Sequence, residues 1–283
     1  MNKSTGTLFL CPTPIGNLDD ITIRTLNTLK SVDIIAAEDT RHTIKLLNHF
    51  QIKKPLTSYH EHNIKEKGLI IIHKILNGEN VALVSDAGMP AISDPGEDLV
   101  KLAVDNGINV VALPGATASI LALVVSGLPT HKFIFEGFLS STKKTRREEL
   151  ENLKCEERTI IIYESPHRLL DLLNDMKDIL DIRKIAISRE LTKKYEEVFR
   201  GTIDQAISKF QNESPRGEFV VVIEGISKEK LKKIESTMWD DMTIKEHIQL
   251  YIDQGFNKKE AVKMIANERN IPKKEVYKES IGL

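Results

Sequence analysis

Four short segments carry residue types suited to chemistry: Pro12-Thr13-Pro14-Ile15-Gly16-Asn17, Glu38-Asp39-Thr40-Arg41-His42, Asp86-Ala87-Gly88-Met89-Pro90 and Pro114-Gly115-Ala116-Thr117. A carboxylate or imidazole in such a loop can take a proton from a poor nucleophile, and a cation can stabilise the anion that results. The stretch from Ser85 to Gly96 holds two Asp and two Pro, with Ser93-Asp94-Pro95-Gly96 completing it. Either half would pass as a turn, since Asp, Gly and Pro are common turn residues. Together they exceed the roughly 2–6 residues of an ordinary strand-to-helix connection, which points to a functional loop. Candidates for proton transfer are Glu38, Asp39, Arg41, His42, His60, Glu61, Glu164, His167 and Glu190. Residue type alone does not choose among them. Arg41 and Arg168 could grip phosphates, because a guanidinium makes paired bonds to them.

Two further clusters ask for an explanation. His60-Glu61-His62 on a strand would put two imidazoles on one face. No third ligand of suitable spacing follows, so a polar strand end is expected and no metal site. Lys143-Lys144-Thr145-Arg146-Arg147 puts four positive charges in five residues at a predicted helix start. The helix dipole disfavours cations there, which favours a nucleic-acid phosphate role for Lys143, Lys144, Arg146 and Arg147 over a merely solvated face.

Absent motifs narrow the choice. The chain has no G-x-G, no G-x-x-x-x-G-K-[ST] and no H-E-x-x-H, which removes the dinucleotide fingerprint, the P-loop and the common zinc-protease helix. Cys11 and Cys155 make neither a disulfide framework nor a zinc knuckle. Lys plus Arg is 40 against 41 Asp plus Glu, a net charge of -1, so any nucleic-acid contact must be a local patch. No apolar run reaches the roughly 18–20 residues that span a bilayer. The beginning of the chain leads directly into a strand-like segment without a signal-peptide pattern, and a cytoplasmic protein is expected.

The elements that position these loops follow from hydrophobic pattern. Short apolar runs at Thr7–Cys11, Ile34–Ala36, Leu56–Tyr59, Val81–Ser85 and Val110–Leu113 alternate with amphipathic stretches at Ile21–Lys30, Asp39–Phe50, Ile64–Leu76 and Glu97–Asn106. Runs apolar at every position suit strands buried on both faces, and the alternation predicts a parallel sheet with right-handed crossovers. All four loops then fall beyond the carboxyl ends of strands, where open sheets bind ligands. After a helix at Ala116–Ser126, a second set follows: strands Phe133–Gly137, Thr159–Tyr163, Lys184–Ser188, Glu197–Gly201 and Phe219–Glu224, with helices Lys143–Lys154, His167–Leu180 and Ile203–Gln211. No crossover helix fits between Ser188 and Glu197, so the second sheet is expected to be mixed. The fold class is α/β, with domains at 1–115 and 116–225, a polar linker at 226–242 and a helix-turn-helix-like module at 243–283. Lys258 to Lys278 carries seven Lys or Arg and three Glu, a local +4.

Pro12-Thr13-Pro14-Ile15-Gly16-Asn17-Leu18, Ala37-Glu38-Asp39-Thr40-Arg41, Val84-Ser85-Asp86-Ala87-Gly88 with Ser93-Asp94-Pro95-Gly96, and Tyr163-Glu164-Ser165 with His167-Arg168 stand in one order. In that order they resemble the ribosomal RNA small-subunit methyltransferase I family, of the tetrapyrrole methylase superfamily, over roughly residues 7–225. The resemblance implies S-adenosylmethionine in a cleft between two α/β domains. It implies 2′-O-methylation of a cytidine in small-subunit (16S) ribosomal RNA by a homodimer, acting on the ribosomal subunit and on no membrane. By motif, the cofactor would touch Pro12, Asp86, Met89, Thr117, Ala118, Tyr163 and Leu191, though packing explains Leu191 equally well. Catalytic candidates are Glu38, Asp39, Arg41, Glu164 and His167. Alternatives are a methylase of a tetrapyrrole precursor, a methylase of a modified protein histidine, or a non-catalytic RNA-binding module. Every matched cofactor position lies at or before Leu191. A chain ending at Gly225 is therefore expected to keep its affinity for S-adenosylmethionine by calorimetry while RNA binding weakens. Loss of both would mean that the C-terminal helices brace the cofactor site.

Overall fold

The structure, a computed structural model, describes residues 5–180, 182–231, 242–269 and 271–281. The first half alternates β1 (Thr7–Leu10), α1 (Ile23–Ser31), β2 (Ile34–Ala37), α2 (Thr40–His49), β3 (Leu56–Ser58), α3 (Ile64–Leu76), β4 (Val81–Val84), α4 (Gly96–Asp105) and β5 (Asn109–Ala112). The strands form one parallel sheet in the order β3-β2-β4-β1-β5. Burial on both faces explains the unbroken apolar runs. Leu8, Leu10, Ala36, Val81 and Leu83 meet Ile71 and Ile75 of α3 and Leu99 and Ala103 of α4. The alternate residues Ile35, Ala37, Ala82 and Val84 meet Leu29 of α1 and Leu47 of α2. Gly78 and Gly107, which follow α3 and α4, adopt φ of 93° and 67°, the left-handed stop that Cβ-bearing residues resist.

The second half contains α5 (Ala118–Ser126), β6 (Phe133–Phe138), α6 (Lys143–Asn152), β7 (Thr159–Glu164), α7 (Leu169–Leu180), β8 (Lys184–Arg189), β9 (Glu197–Thr202), α8 (Ile203–Asn212) and β10 (Phe219–Ile223). Its sheet runs β6-β7-β10-β8-β9 and is mixed: β6 is parallel to β7, and the other neighbours are antiparallel. Phe219, Val221 and Ile223 of β10 join the core formed with α6, α7 and α8, while Val220 and Val222 join Ala122 and Leu123 of α5 on the opposite face.

Three expectations are corrected in detail. The helix expected from Ala116 begins at Ala118, leaving Pro114 to Thr117 as a loop capped by Thr117. The helix expected from His167 begins at Leu169. His60 is not on a strand, since β3 ends at Ser58; it caps a single 3₁₀ turn, Glu61–Asn63, whose Asn63 Oδ1 accepts the His60 N–H at 2.9 Å. Among the described residues no group of three or more His, Cys, Asp or Glu could hold a metal ion, and no helix is long and apolar enough to cross a membrane.

The chain divides into two compact units: Met1–Leu153 with Arg158–Glu224, which includes both sheets, and Lys154–Glu157 with Gly225–Leu283. Of the expected linker, 228–231 is helical and 232–241 lies outside the described residues. The second unit holds helices Ile244–Asp253, Lys258–Glu268 and Lys273–Glu279. The first two open with reciprocal capping boxes, Thr243 with Glu246 and Asn257 with Glu260. Ile248, Ala261, Val262, Ile265, Ala266 and Val276 form its core.

In the first unit, α6 is fastened to α7 by a buried ion pair. Arg146 Nη2 lies 2.6 Å from Asp175 Oδ2, both side chains being 4% exposed, and Arg147 Nη1 reaches Asp175 Oδ1 at 2.8 Å and Asp178 at 2.8 Å. Burial pushes the Asp175 carboxyl up, but the two guanidiniums outweigh it and hold the pKa below the ordinary carboxylate value. The resulting stability is present above the unfolded pKa and is lost as pH falls through the lower folded one. Asp175→Ala orphans a buried guanidinium and should cost about 3–5 kcal/mol in urea unfolding at neutral pH. The gap to the parent should narrow on acidification below about pH 4.

Candidate active site

The carboxyl ends of β1, β2, β4 and β5 share one edge, and backbone hydrogen bonds join their loops. Thr13 N–H donates to Gly88 O at 2.9 Å and Gly88 N–H returns to Thr13 O at 3.1 Å, while Thr13 Oγ1 donates to Ser85 O at 3.2 Å. Asp39 N–H donates to Asp86 Oδ1 at 3.0 Å, tying the loop after β2 to that after β4. Gly115 admits no side chain, because a Cβ there would lie 2.4 Å from Pro12 Cβ. Asp94 Oδ1 accepts from Ala91 N–H at 2.9 Å and Gly96 N–H at 2.8 Å. Those bonds hold Ala91 and Ser93 at φ of 70° and 60°, costly for residues with a Cβ.

The second half supplies the opposite wall. Tyr163, near the end of β7, sits edge-on to Phe135 and Phe138 with ring centroids 4.9 and 5.5 Å away, and its hydroxyl accepts from Ser119 N–H at 3.1 Å. Beside it, Glu164 is 1% exposed. Its Oε1 accepts from Ser165 N–H at 2.7 Å and lies 3.3 Å from Arg168 Nε, while its Oε2 is buried without a hydrogen-bond partner.

These walls enclose a cavity of about 400 Å³ lined from the first half by Glu38, Asp86, Met89 and Asp94 and from the second by Phe138, Tyr163, Glu164 and Phe219. That is within the roughly 300–1,000 Å³ of small-molecule sites. Its electrostatics are strained. Burial raises the pKa of Glu38, and the nearby carboxylates of Asp86 and Asp94 raise it further. Burial also raises Asp94, and it raises Glu164 more than Ser165 and Arg168 lower it. A cation, or an N–H or O–H donor, entering this space would relieve the repulsion and supply the missing partner.

Among the residues singled out in the sequence, Asp86, Met89, Thr117, Ala118, Tyr163, Glu38 and Glu164 line the cavity. Pro12 and Leu191 stand outside the lining: Pro12 packs beneath Gly115, and Leu191 is buried with Ile15 and Tyr163. Asp39, Arg41 and His167 are outside it as well. Asp39 caps α2 and pairs with Arg41 Nη2 at 2.6 Å; the side-chain and backbone hydrogen bonds from Arg41 hold its carboxyl well below the usual range. His167 is exposed. Two basic residues expected to grip phosphate are corrected. Arg146 is buried on Asp175, and Arg168 Nη2 donates to the carbonyls of Leu139 and Ser140. Lys143 and Lys144 remain exposed, as does most of Arg41, and Arg147 is half-exposed.

Asp94, Phe138, Ser165 and Glu218 line the cavity without having been assigned a role from sequence. Asp94 stood in the Ser85–Gly96 stretch, whose length marked it as a functional loop without giving that residue a role of its own. Phe138 has no local signal, because its place comes from pairing opposite Tyr163 across β6 and β7.

A family model described as Tetrapyrrole (Corrin/Porphyrin) Methylases matches residues 7–207. The Bacillus subtilis protein named ribosomal RNA small subunit methyltransferase I is 52% identical over 96% of this chain and 93% of its own length. The chain belongs to the ribosomal RNA small subunit methyltransferase I family. A Thermotoga maritima relative of that family is 51% identical, with 78% of this chain covering 99% of that protein. About a fifth of this chain therefore has no counterpart there. Among solved structures, uroporphyrin-III C-methyl transferase from Thermus thermophilus, complexed with S-adenyl homocysteine, superposes with a TM-score of 0.53 at 13% identity, over 77% of this chain and 97% of that one. This likeness concerns the fold. The tetrapyrrole methylase architecture of the chain is thus two α/β sheets followed by a helical region, as the resemblance implied.

The raised carboxyls make a linked prediction about stability. A carboxyl whose folded pKa exceeds its unfolded one stabilises below the unfolded pKa, and that contribution is lost as pH rises through the folded pKa. Glu38→Gln removes one such group and relieves its repulsion with Asp86 and Asp94. The ligand-free variant should melt higher than the parent at pH 7, with the difference shrinking towards pH 4, as calorimetric scans across that range would measure.

Proposed function

We propose that this chain transfers a methyl group from S-adenosylmethionine to the 2′-hydroxyl of a cytidine in small-subunit (16S) ribosomal RNA, acting on the ribosomal subunit as a homodimer. The observation that carries the methyl-transfer reading is the cavity: an acidic, aromatic-walled pocket at the carboxyl edge of the first sheet, built without a glycine-rich phosphate turn. The names of relatives at about half identity support the RNA substrate, the bound product in the Thermus neighbour supports the cofactor, and the motif resemblance supports the cytidine ribose.

The residues present fit such a cofactor. Glu38, Asp86 and Asp94 suit its cationic and amino groups, Met89, Phe138 and Tyr163 offer apolar wall, and Glu164 Oε2 lacks a donor. Bound there, the cofactor would supply an electrophilic methyl on a sulfonium. The chain's part is mainly alignment, since carboxylates that favour a positive ground state do not by themselves lower the barrier. A ribose hydroxyl also needs a proton acceptor. Of the five catalytic candidates, Glu38 and Glu164 line the cavity. We assign proton acceptance to Glu38, which is half-buried and whose proton affinity is raised by burial and by Asp86 and Asp94. Glu164, braced by Ser165 and Arg168, is assigned to hold a donor on the cofactor. Lys143 and Lys144, with Arg41 and Arg147, are assigned to phosphates on the rim.

The test incubates the purified chain with radiolabelled S-adenosylmethionine and small subunits from a strain lacking this enzyme. Label should appear as 2′-O-methylcytidine in digested 16S RNA, and Glu38→Gln should lower kcat by roughly 10²–10⁴-fold. Label on a small macrocycle and none on subunits would favour a tetrapyrrole substrate, and absence of cofactor binding at millimolar concentration would overturn the reading.

A further inference from the structure

The C-terminal unit contains a second concave surface, distant in chain order from every residue of the cavity described above. A groove of about 680 Å³ is lined by Lys258, Lys259, Lys263, Lys273, Lys274 and Tyr277, with Val262 at its floor. Lys259, Lys263, Lys273, Lys274 and Tyr277 are exposed. Among the described residues none of those four lysines is paired with a carboxylate. The unit has acidic residues, but several are committed elsewhere. Glu246 and Glu260 complete capping boxes, and Glu268 Oε1 accepts from Tyr251 Oη at 2.6 Å.

Stability does not account for this arrangement. Lys259 and Lys263 are four residues apart on one helix, a like-charge spacing that costs a few tenths of a kcal/mol. Lys258 and Lys259 stand in the first turn of helix Lys258–Glu268, where the dipole opposes cations. An anionic ligand would turn both penalties into binding energy. The exposed Tyr277 ring on the same groove adds a flat aromatic face beside the lysines, the combination of cations and stacking surface that single-stranded nucleic acid uses. The fifth of the chain without a counterpart in the Thermotoga relative is about the size of this unit, which suits an accessory element that is not part of the methyl-transfer fold.

We infer that this lysine groove is an RNA-binding site, in which Lys259, Lys263, Lys273 and Lys274 hold successive phosphates of a single-stranded segment while Tyr277 stacks on one of its bases. The choice of RNA as partner rests on the proposed ribosomal substrate; the groove itself does not.

The experiment uses the full chain and a labelled, unstructured RNA oligonucleotide of about 20 nucleotides, titrated across salt, with its duplex and phosphatidylserine vesicles as further probes. The quadruple substitution Lys259→Gln, Lys263→Gln, Lys273→Gln, Lys274→Gln should weaken binding at least about tenfold and flatten the logarithmic salt slope by about 3. Tyr277→Ala should cost about fivefold or more on the single strand and little on the duplex. Affinity for S-adenosylmethionine should be unchanged in both. Equal RNA affinity and slope in the quadruple variant, or binding of vesicles with none of RNA, overturns the inference. Should that variant fail to fold, amine-acylation footprinting of the unaltered chain decides: protection of the four lysines by RNA supports the site, and equal labelling with and without RNA overturns it. The two readings also fail separately. An unaltered chain that methylates no subunit, yet whose RNA binding depends on these lysines, defeats the proposed function and leaves the groove standing. Full methylation by a folded quadruple variant at unchanged kcat/KM defeats the groove alone.

Discussion

The placement of β1 between β4 and β5 is the constraint on which the site depends. Parallel strands covered on both faces send their carboxyl ends to one edge, so loops far apart in sequence must meet there. Their backbone groups then need partners. The reciprocal Thr13–Gly88 bonds and the Asp39–Asp86 bond provide them, turning three separate loops into one rigid rim. Gly115 is small because Pro12 of the adjacent loop occupies the space that a Cβ would need. Each of these features serves local satisfaction of the chain, and together they leave a cavity that no single loop would form.

The electrostatic character of the molecule changes at that rim. Asp39 and Asp175 are each satisfied by arginine, and Asp39 with Arg41 closes the start of α2. At the cavity Glu38, Asp86 and Asp94 lie close enough to repel one another, no Lys or Arg is among the described residues that line it, and Glu164 keeps one oxygen unpaired. Strain gathers in the same neighbourhood. Ala91 and Ser93 on one side, and Glu190 and Thr192 beyond β8, hold positive φ. Such residues cost of order 1–3 kcal/mol each and persist where surrounding structure holds them. Repulsion and strain that a stable fold would avoid are tolerated where a ligand can use them.

The run from Lys143 to Arg147 shows how one composition acquires two roles. Helical periodicity puts Arg146 and Leu150 on the inner face of α6, and α7 brings Asp175 opposite Arg146. Lys143 and Lys144 lie on the outer side. The unfavourable position of cations at a helix start is thus answered within the fold for Arg146 and Arg147, while Lys144 has only a loose, exposed contact with Glu148 at 3.9 Å and Lys143 faces solvent. Arg168 follows the same logic, its guanidinium bracing the carbonyls that precede α6.

Periodicity in the chain was enough to place ten strands and the main helices, and the short connection from Ser188 to Glu197 was enough to place the change from a parallel to a mixed sheet. These depend on neighbours within a few residues: unbroken apolar runs such as Val81–Val84, capping pairs such as Thr243 with Glu246, and glycines after α3 and α4. The loops after β1, β2, β4 and β5 were likewise legible, since strand direction alone assigns them to one edge. Which side chains face the cavity was not. Asp39 and Glu38 are adjacent in sequence, yet one caps a helix against Arg41 and the other lines the pocket. Phe138 meets Tyr163 through strand register, and Arg146 turns inward because Asp175 lies 29 residues away along the chain and beside it in space. Local pattern sets where an element begins and which face is apolar; the partner that decides a charged side chain's role arrives through long-range packing, to which short-range periodicity carries no reference.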